Sequence, residues 1–304
     1  MSGIGLKVRA EFQKGDDIRD AGLTTPDFVE RTDDILYGED PKWQVLDLYR
    51  PKNRTGEKLP VNRQYPRRRW VYGDKERYQY YCMSLVEHGF AVVNFTYRLA
   101  PEFQFPAALE DTNLVAAWIM EHAEQYQLDT EHIFGVGDSA GAHMLGLYAS
   151  ICTNAEYAAQ YEFRVPDGFA WKAVALNCGA YQITVSGEEQ DLTGMLMSEL
   201  LPEKGSAEEL EKINVIAHVT ESFPTAFVMT SNGDFLKNDA PLLIQKLMEC
   251  QVPHVFHFYG DKDTTLYHVF HLNMKTKIAA ECNKEECDFS ENFYRVGKPG
   301  DLEL

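Results

Sequence analysis

Gly137-Asp138-Ser139-Ala140-Gly141 follows the apolar run His132–Val136 and precedes a helical pattern. A Gly-x-Ser-x-Gly motif between a strand and a helix is typical of a nucleophile elbow, a sharp turn that holds the serine in a strained conformation. The two glycines remove side chains where strand and helix approach each other most closely. The pattern therefore predicts that Ser139 is a nucleophile at the carboxyl end of a strand.

On both sides of this motif, short β-rich runs alternate with longer helical patterns. Such alternation favours an α/β fold with a mostly parallel central sheet flanked by helices. The predicted strands are Trp43–Tyr49, Ala91–Thr96, His132–Val136, Ala173–Asn177, Ala226–Thr230 and Val255–Tyr259. The predicted helices are Phe105–Gln125, Ala140–Cys152, Ala240–Cys250 and Val269–Glu281.

Two regions fall outside this alternation, namely residues 1–35 and about 180–222. Insertions of this length in a compact domain are usually functional or mobile. We interpret them as a small helical cap over the site, built from an N-terminal segment and from an insertion in a main domain that spans residues 36–304. Ordinary surface helices remain the alternative interpretation.

Charge and hydropathy restrict the class of partner. The chain has 304 residues, with 29 Lys and Arg against 47 Asp and Glu, and a net charge of −18. Nucleic acids and anionic membranes select basic surfaces, so we expect neither as a partner. A neutral small molecule is the expected ligand. Because no apolar run approaches a membrane span and the first residues lack a signal-peptide pattern, we expect a cytoplasmic protein.

The six cysteines indicate buried free thiols in a reducing compartment, because most of them lie inside apolar stretches and none forms a CxxC pair. Cys282 and Cys287, with His271 upstream, have a spacing that does not match a zinc site. We therefore expect no metal.

A serine nucleophile needs a base, and the base needs an acid that orients it. The acid precedes the histidine in folds with this elbow, and both follow strands. Asp234, in a loop after the run 226–230, and His268, after the last predicted strand, fit that order. The competing residues are His271, Asp261, Asp263, His254 and His257. The predicted positions of the three histidines favour structural roles, and the two aspartates lie too late in the chain for the acid.

The chain also resembles the hormone-sensitive-lipase-like branch of the α/β-hydrolase superfamily. The residues that carry the resemblance are Trp70–Gly73, Tyr97–Glu102, Phe105–Asp111, Gly137–Gly141, Asn232–Leu236 and His268–Phe270. The resemblance implies a carboxylesterase that acts on short acyl esters, such as acetyl esters of carbohydrates or aryl alcohols, without a cofactor. Members of this branch often dimerise, which leaves a homodimer open.

One segment departs from the family pattern. The family carries His-Gly-Gly-Gly immediately before the tryptophan, whereas this chain has Pro66-Arg67-Arg68-Arg69 before Trp70. The resemblance implies that the oxyanion is bound by the N–H of Ala140 and by N–H groups of this loop, here those of Arg67 and Arg68. Arginine retains the N–H but adds a long side chain and lacks the conformational freedom of glycine.

The codons suggest an origin for this departure. Back-translation of residues 62–69 gives AAY CGN CAR TAY CCN CGN CGN CGN. Shifted by a single base, the same string permits ATC GTC AGT ATC CAC GGC GGC GG, which encodes Ile-Val-Ser-Ile-His-Gly-Gly-Gly. We interpret the segment as a pair of compensating shifts, an insertion near codon 61 and a deletion near codon 69, in the recorded sequence or in the gene. True divergence with a basic loop is the alternative.

Three functions remain open on the sequence. The first is a serine carboxylesterase. The second is a non-catalytic binding protein with a hydrolase fold, which the arginine loop would favour, because losing one oxyanion donor costs about 10²–10³ in kcat. The third is an amidase that uses the same three side chains. A real arginine loop also predicts that loss of activity and a disturbed central strand appear together.

Overall fold

The computed structural model describes residues 3–65, 70–186 and 191–294. The described strands form one sheet in the order β1-β2-β4-β3-β5-β6-β7-β8. Their bounds are β1 Val29–Leu36, β2 Val45–Pro51, β3 Leu59–Tyr65, β4 Ala91–Phe95, β5 Leu128–Asp138, β6 Ala173–Asn177, β7 Ala226–Ser231 and β8 His254–Tyr259. Strand β2 pairs antiparallel with β1 and with β4. From β4 onward in this order, through β3 to β8, neighbouring strands pair parallel. The predicted fold class is confirmed.

Helices cover both faces of this sheet. They are α1 Gly3–Asp20, α2 Gln79–Val86, α3 Ala107–Glu121, α4 Ala123–Tyr126, α5 Ala140–Thr153, α6 Ala155–Ala158, α7 Leu192–Leu200, α8 Ala207–Lys212, α9 Val215–His218, α10 Asp239–Glu249 and α11 Lys277–Glu291. Val92 and Val93 of β4 belong to different buried apolar clusters, because alternate side chains of a strand point to opposite faces. No helix in the described ranges is long and apolar enough to cross a membrane.

The last predicted helix, Val269–Glu281, is wrong over its first half. Val269 has a left-handed backbone with φ of 56°, and a single 3₁₀ turn follows it. The helix α11 begins only after Thr276, whose side chain accepts a hydrogen bond from the N–H of Ala279. This N-cap marks the true start, because a threonine oxygen can satisfy an N–H that has no partner within the helix.

The two regions outside the alternation have regular structure of their own. Residues 1–35 contain α1 and most of β1, which pairs with β2, so a boundary at residue 35 falls inside a strand of the sheet. The described part of residues 180–222 contains α7, α8 and α9. Helix α1 approaches α7, so the two regions meet.

Strand β3 lies in the middle of the sheet and carries polar side chains. Asn62, Arg63 and Gln64 are at most 2% exposed. One Nη of Arg63 donates to the carbonyl oxygen of Thr112, whereas Nε and Nη1 have no hydrogen-bond partner among the described residues. The Oδ1 of Asn62 and the Oε1 of Gln64 also lack one. The strand therefore buries a charge and several polar atoms at a cost of roughly 1–3 kcal/mol for each unsatisfied group.

Aromatic rings compensate the Arg63 charge in part. Its guanidinium carbon lies 4.8 Å from the ring centre of Phe95 and 4.9 Å from that of Tyr65. Ring faces attract a cation electrostatically, by about 2 kcal/mol or more where water is excluded. Pairing of β3 with β4 and β5 continues through Gln64. The disturbed strand expected from a real arginine loop therefore does not appear in residues 61–65, and the difficulty lies in the side chains.

Replacing Arg63 with methionine tests this account of β3. Because R63M removes a buried charge that has a single hydrogen bond to the described residues, we expect the free energy of unfolding to rise by about 2–4 kcal/mol. Urea denaturation measures it. Arg50 is the matched control, since its guanidinium is also buried but donates to the carbonyl oxygens of Tyr126, Gln127 and Glu57. R50M should destabilise the protein, and an equal loss in R63M would contradict the account.

Candidate active site

Strand β5 and helix α5 meet at Ser139 with almost no space between them. A Cβ added at Gly137 would lie 2.7 Å from the carbonyl carbon and oxygen of Gly141. Ser139 has φ of 55° and ψ of −121°, a conformation that costs about 1–3 kcal/mol for a residue with a side chain. Its N–H donates to the carbonyl oxygen of Asn177 at 3.0 Å, and its own carbonyl oxygen accepts from His143 N–H. These bonds stabilise the strained turn.

The structure brings Ser139, Asp234 and His268 together. The Nε2 of His268 lies 3.0 Å from the Oγ of Ser139, and its Nδ1 lies 2.7 Å from the Oδ1 of Asp234. Asp234 is fully buried at its side chain, whereas the imidazole is 15% exposed. The imidazole is thus hydrogen-bonded on one side to an acid and on the other to the hydroxyl of a residue that lines a cavity. That is the arrangement a serine needs for activation by a base.

Hydrogen bonds keep Asp234 ionised in its buried position. Burial alone would raise the pKa of this carboxyl, but the hydrogen bond and the charge of His268 lower the pKa below its ordinary value. The Leu236 N–H and the Thr230 hydroxyl also donate to it. The carboxylate therefore accepts from three groups, which keeps its negative charge directed at Nδ1 of the imidazole.

Two loops carry the acid and the base, and Asn232 joins them. Its Nδ2 donates to the carbonyl oxygens of Asp261 and Thr264 at 2.8 and 2.9 Å, and its Oδ1 accepts from Leu266 N–H. Gly233 lies against the second loop so closely that an added Cβ would be 2.8 Å from the Leu266 carbonyl oxygen. The position of His268 relative to Asp234 follows from this contact between loops.

Four of the five competing residues have structural partners, and the fifth is exposed. The Oδ1 of Asp261 accepts from the N–H groups of Asp263 and Thr264, which closes a turn in the second loop. His271 is buried against the ring of Tyr81, with 5.6 Å between ring centres. His254 contacts the carbonyl oxygen of Val252, and His257 contacts Glu285. Asp263 is exposed.

The expected oxyanion donors are described only in part. Ala140 is the first residue of α5, so its N–H lies at a helix N-terminus, where the helix supplies no acceptor and the dipole favours negative charge. Arg67 and Arg68 lie outside the described residues. Trp70, which follows them, has a left-handed backbone with φ of 62°.

His143 is a site residue that the sequence analysis missed. Its Nδ1 accepts from the indole N–H of Trp70 at 3.1 Å, and its Nε2 lies 2.8 Å from the carbonyl oxygen of Ile213. Burial lowers the pKa of His143 to about 4, so the ring is neutral and donates from Nε2. It therefore ties the elbow helix to Trp70 and to the residue that follows α8. Its place inside a buried apolar helix, four residues after Ser139, was the available signal.

A cavity of about 250 Å³ opens beside Ser139. Its lining is mostly apolar and comes from Trp70, Ala180, Ile183, Leu192, Leu196, Phe235 and Leu236, with polar groups from Gln182, Thr184, Thr193 and Asp239. The Oδ2 of Asp239 accepts from the N–H groups of Tyr181 and Gln182. The carboxylate therefore anchors the start of the 180–222 region to α10. A larger groove lies at the opposite end of the parallel strands, and the described residues that line it include no serine or cysteine.

Asp234 and His268 also lie near a thiol. One ligand atom each from Cys178, Asp234 and His268 lie within 4.8 Å of one another. Burial raises the pKa of the Cys178 thiol well above its ordinary value, so this sulfur stays protonated. Metal ions bind the thiolate, and the other two groups already bond each other. The cluster does not fit a metal ion.

The sequence of residues 46–242 matches the family model described as BD-FAE. The chain belongs to the BD-FAE family. Among curated relatives, it is 33% identical to Esterase LipQ of Mycobacterium tuberculosis over 52% of this chain and 37% of that protein. It is 28% identical to the probable carboxylic ester hydrolase LipM of the same organism, over 67% of this chain and 48% of that protein. This BD-FAE chain thus matches less than half of each of these relatives.

Solved structures resemble the BD-FAE chain over almost its whole length. Inhibited Esterase B from Lactobacillus rhamnosis superposes with a TM-score of 0.87 at 23% identity, covering 97% of this chain and 98% of that chain. A hyperthermophilic esterase from Pyrobaculum calidifontis gives 0.76 at 23%, covering 95% and 93%. At this identity the likeness establishes the fold. Together with the family model and the curated esterase relatives, it confirms the resemblance to α/β-hydrolase esterases.

Asn232 offers a test of how the two loops set the site. N232A removes the two donated bonds and the accepted bond described above, so His268 should shift relative to Ser139 and Asp234. A misplacement of about 1 Å costs on the order of 10²-fold in rate, which we expect in kcat/KM for p-nitrophenyl acetate. Asn238 is the control, because its exposed side chain makes no cap bond at α10. Equal activity of N232A and N238A would contradict this role.

Proposed function

We propose that this protein is a serine carboxylesterase that hydrolyses short-chain acyl esters through an acyl-enzyme on Ser139. The observation that carries the proposal is the continuous hydrogen-bonded chain from Ser139 through His268 to Asp234. The family and the esterase relatives support the same reaction class.

In the proposed first half-reaction, the Oγ of Ser139 attacks the ester carbonyl carbon while the Nε2 of His268 accepts the hydroxyl proton. The carbonyl oxygen becomes an anion near the N–H of Ala140. When the intermediate collapses, the C–O bond to the alcohol breaks, and His268 returns the proton to the leaving oxygen. Asp234 holds the imidazole in the tautomer with a proton on Nδ1 and stabilises the imidazolium that forms.

In the second half-reaction, water attacks the acyl carbon and gives a proton to the same Nε2. The bond from the acyl carbon to the Ser139 oxygen then breaks, and the imidazolium protonates that oxygen. The carboxylic acid leaves, and the enzyme returns to its starting state. One ester and one water give one acid and one alcohol, without a cofactor.

The cavity beside Ser139 favours small substrates. Its volume of about 250 Å³ is below the roughly 300–1,000 Å³ of sites for drug-sized ligands. The apolar lining suits a short acyl chain, and the net charge of −18 favours a neutral ester. Two relatives, an ethyl acetate hydrolase of Pseudomonas putida and an acetyl esterase of Salmonella typhi, match 32% and 21% of this chain. Their names support acetyl esters, and we extend the proposal to acetyl esters of carbohydrates or aryl alcohols.

We also propose that residues 1–35 and about 180–222 form a cap over the site. Leu192, Thr193 and Leu196 of α7 line the cavity, and α1 approaches that helix. Arg9 of α1 supports the cap, since its guanidinium donates to both carboxylate oxygens of Glu102 and to the carbonyl oxygens of Val71 and Ala100.

We propose, in addition, that residues 62–69 reflect a compensated reading-frame shift. The polar side chains that β3 buries support this idea, because Ile-Val-Ser-Ile would fill the same positions almost without polar atoms. The alternative of a binding protein without catalysis depends on the arginine loop being native.

Ser139→Ala tests the proposed reaction. Removing the nucleophile should lower kcat for p-nitrophenyl acetate and butyrate by on the order of 10⁴–10⁶. For the unaltered enzyme, p-nitrophenyl octanoate should be a poorer substrate than these two esters. Ser150→Ala is the control, because this serine is also buried but lies on α5 far along the helix from the elbow. Ligand binding without Ser139-dependent turnover would indicate the binding protein, and turnover of anilides above esters would indicate the amidase.

A further inference from the structure

Behind the nucleophile elbow, a buried carboxylate lies at the junction of three elements. Glu286 of α11 is 2% exposed. Its Oε1 accepts a hydrogen bond of 2.6 Å from the hydroxyl of Tyr81 on α2, and its Oε2 accepts from the Nδ2 of Asn177 at the end of β6. A carboxylate in this position must be held for a reason, because burying it costs several kcal/mol unless its partners compensate.

Asn177 connects this carboxylate to Ser139. Its backbone carbonyl oxygen accepts the Ser139 N–H at 3.0 Å, and it pairs with Asp138 in the register of β5 and β6. The side chain of Asn177 is bound by Glu286, so both ends of this residue are engaged. A shift of the side-chain bond therefore moves the acceptor that holds the strained serine backbone.

We propose that Glu286 is a positioning residue that sets the nucleophile elbow through Asn177. The inference rests on the proposed esterase function of Ser139. Ionised Glu286 has an acceptor oxygen for each of its two donors, whereas a neutral carboxyl or amide retains one good acceptor. Loss of the charge therefore leaves either Tyr81 or Asn177 without its present bond.

The ionisation of Glu286 falls in the working range of pH. Burial, with a smaller contribution from the charge of Asp138, raises the pKa of this carboxyl to about 7. The hydrogen bonds from Tyr81 and Asn177 act in the opposite direction and lower the pKa. The titratable groups around it are Tyr81 on α2, Asp138 on β5, Cys282 and Cys287 on α11, and His271, which packs against Tyr81. Asp138 is itself bonded by the Tyr78 hydroxyl.

Ionisation of Glu286 should have opposite effects on the stability of the protein and on its activity. Because the pKa of Glu286 is raised in the folded protein, its contribution to stability is present below the unfolded pKa of about 4.3 and is lost as pH rises through about 7. Activity should instead gain, because the ionised form makes both hydrogen bonds. A carboxylate with only a structural role would not raise activity over the same pH range in which it lowers stability.

The test compares the variants E286Q, N177A and the double variant with the unaltered protein. We expect E286Q to lower kcat for p-nitrophenyl acetate by about tenfold at pH 8, with KM unchanged. Toward acidic pH, the kcat of E286Q should fall with the protonation of roughly one group, whereas the kcat of the unaltered protein should fall with the protonation of two. The double variant should be no slower than the slower single variant, because both act on one link. The Tm of E286Q should rise relative to the unaltered protein at pH 8.

Glu285→Gln is the control, because this neighbouring carboxylate is exposed and bonds His257 and Tyr259 at the protein surface. The inference would be overturned if E286Q had the kcat and the acidic pH dependence of the unaltered protein. Additive losses of kcat in the double variant would also overturn it. Labelling of Ser139 by an alkyl phosphonate, followed by intact mass, separates the two proposals. If the unaltered protein labels but does not turn over esters, the proposed function fails and the labelling rates of the variants decide the inference. If it does not label, both fail.

Discussion

The site depends on the contact between Gly137 and Gly141, where strand β5 passes into helix α5 with no room for a Cβ. In this turn Ser139 has a left-handed backbone, and the residue lines the cavity at the carboxyl edge of the sheet. Such strain persists only where the surroundings over-determine it. Here β6 supplies that support, because Asn177 binds the serine N–H, and the buried carboxylate of Glu286 binds Asn177 in turn.

Strand β3 is the neighbour of β5 on its other side, and it combines regular pairing with unsuitable side chains. The backbone pairs with both adjacent strands, while Arg63 and two amide side chains are buried with unpaired atoms within the described residues. Total stability of a protein is only about 5–15 kcal/mol, so unpaired groups of this kind would consume a large share of it. The proposed shift of the reading frame would remove this conflict and would place the family's glycine loop before Trp70 in the same step.

The sequence predicted the elements with strong apolar runs and the order of Ser139, Asp234 and His268. Both follow from local pattern, because buried parallel strands are continuously apolar and site loops follow their carboxyl ends. Helix α11 was placed too early, because an αL residue at Val269 and the cap at Thr276 interrupt an apolar pattern that looks helical.

The roles of His143 and Glu286 could not be predicted for a different reason. Their partners Trp70, Ile213, Tyr81 and Asn177 come from distant parts of the chain, and only the folded sheet brings them together. Periodicity shows that such residues face the core, but it carries no information on which polar group they meet. Sequence reasoning therefore treats them as ordinary buried positions.

The most direct measurement compares the chain as printed with a variant in which residues 62–69 read Ile-Val-Ser-Ile-His-Gly-Gly-Gly, both verified by intact mass. The reading-frame proposal predicts that the variant has a higher Tm and a kcat/KM for p-nitrophenyl acetate higher by about 10² or more. The strand loses its unpaired polar groups, and glycines allow the N–H groups of the loop to approach the oxyanion closely. Equal or lower values of both quantities in the variant would contradict this proposal.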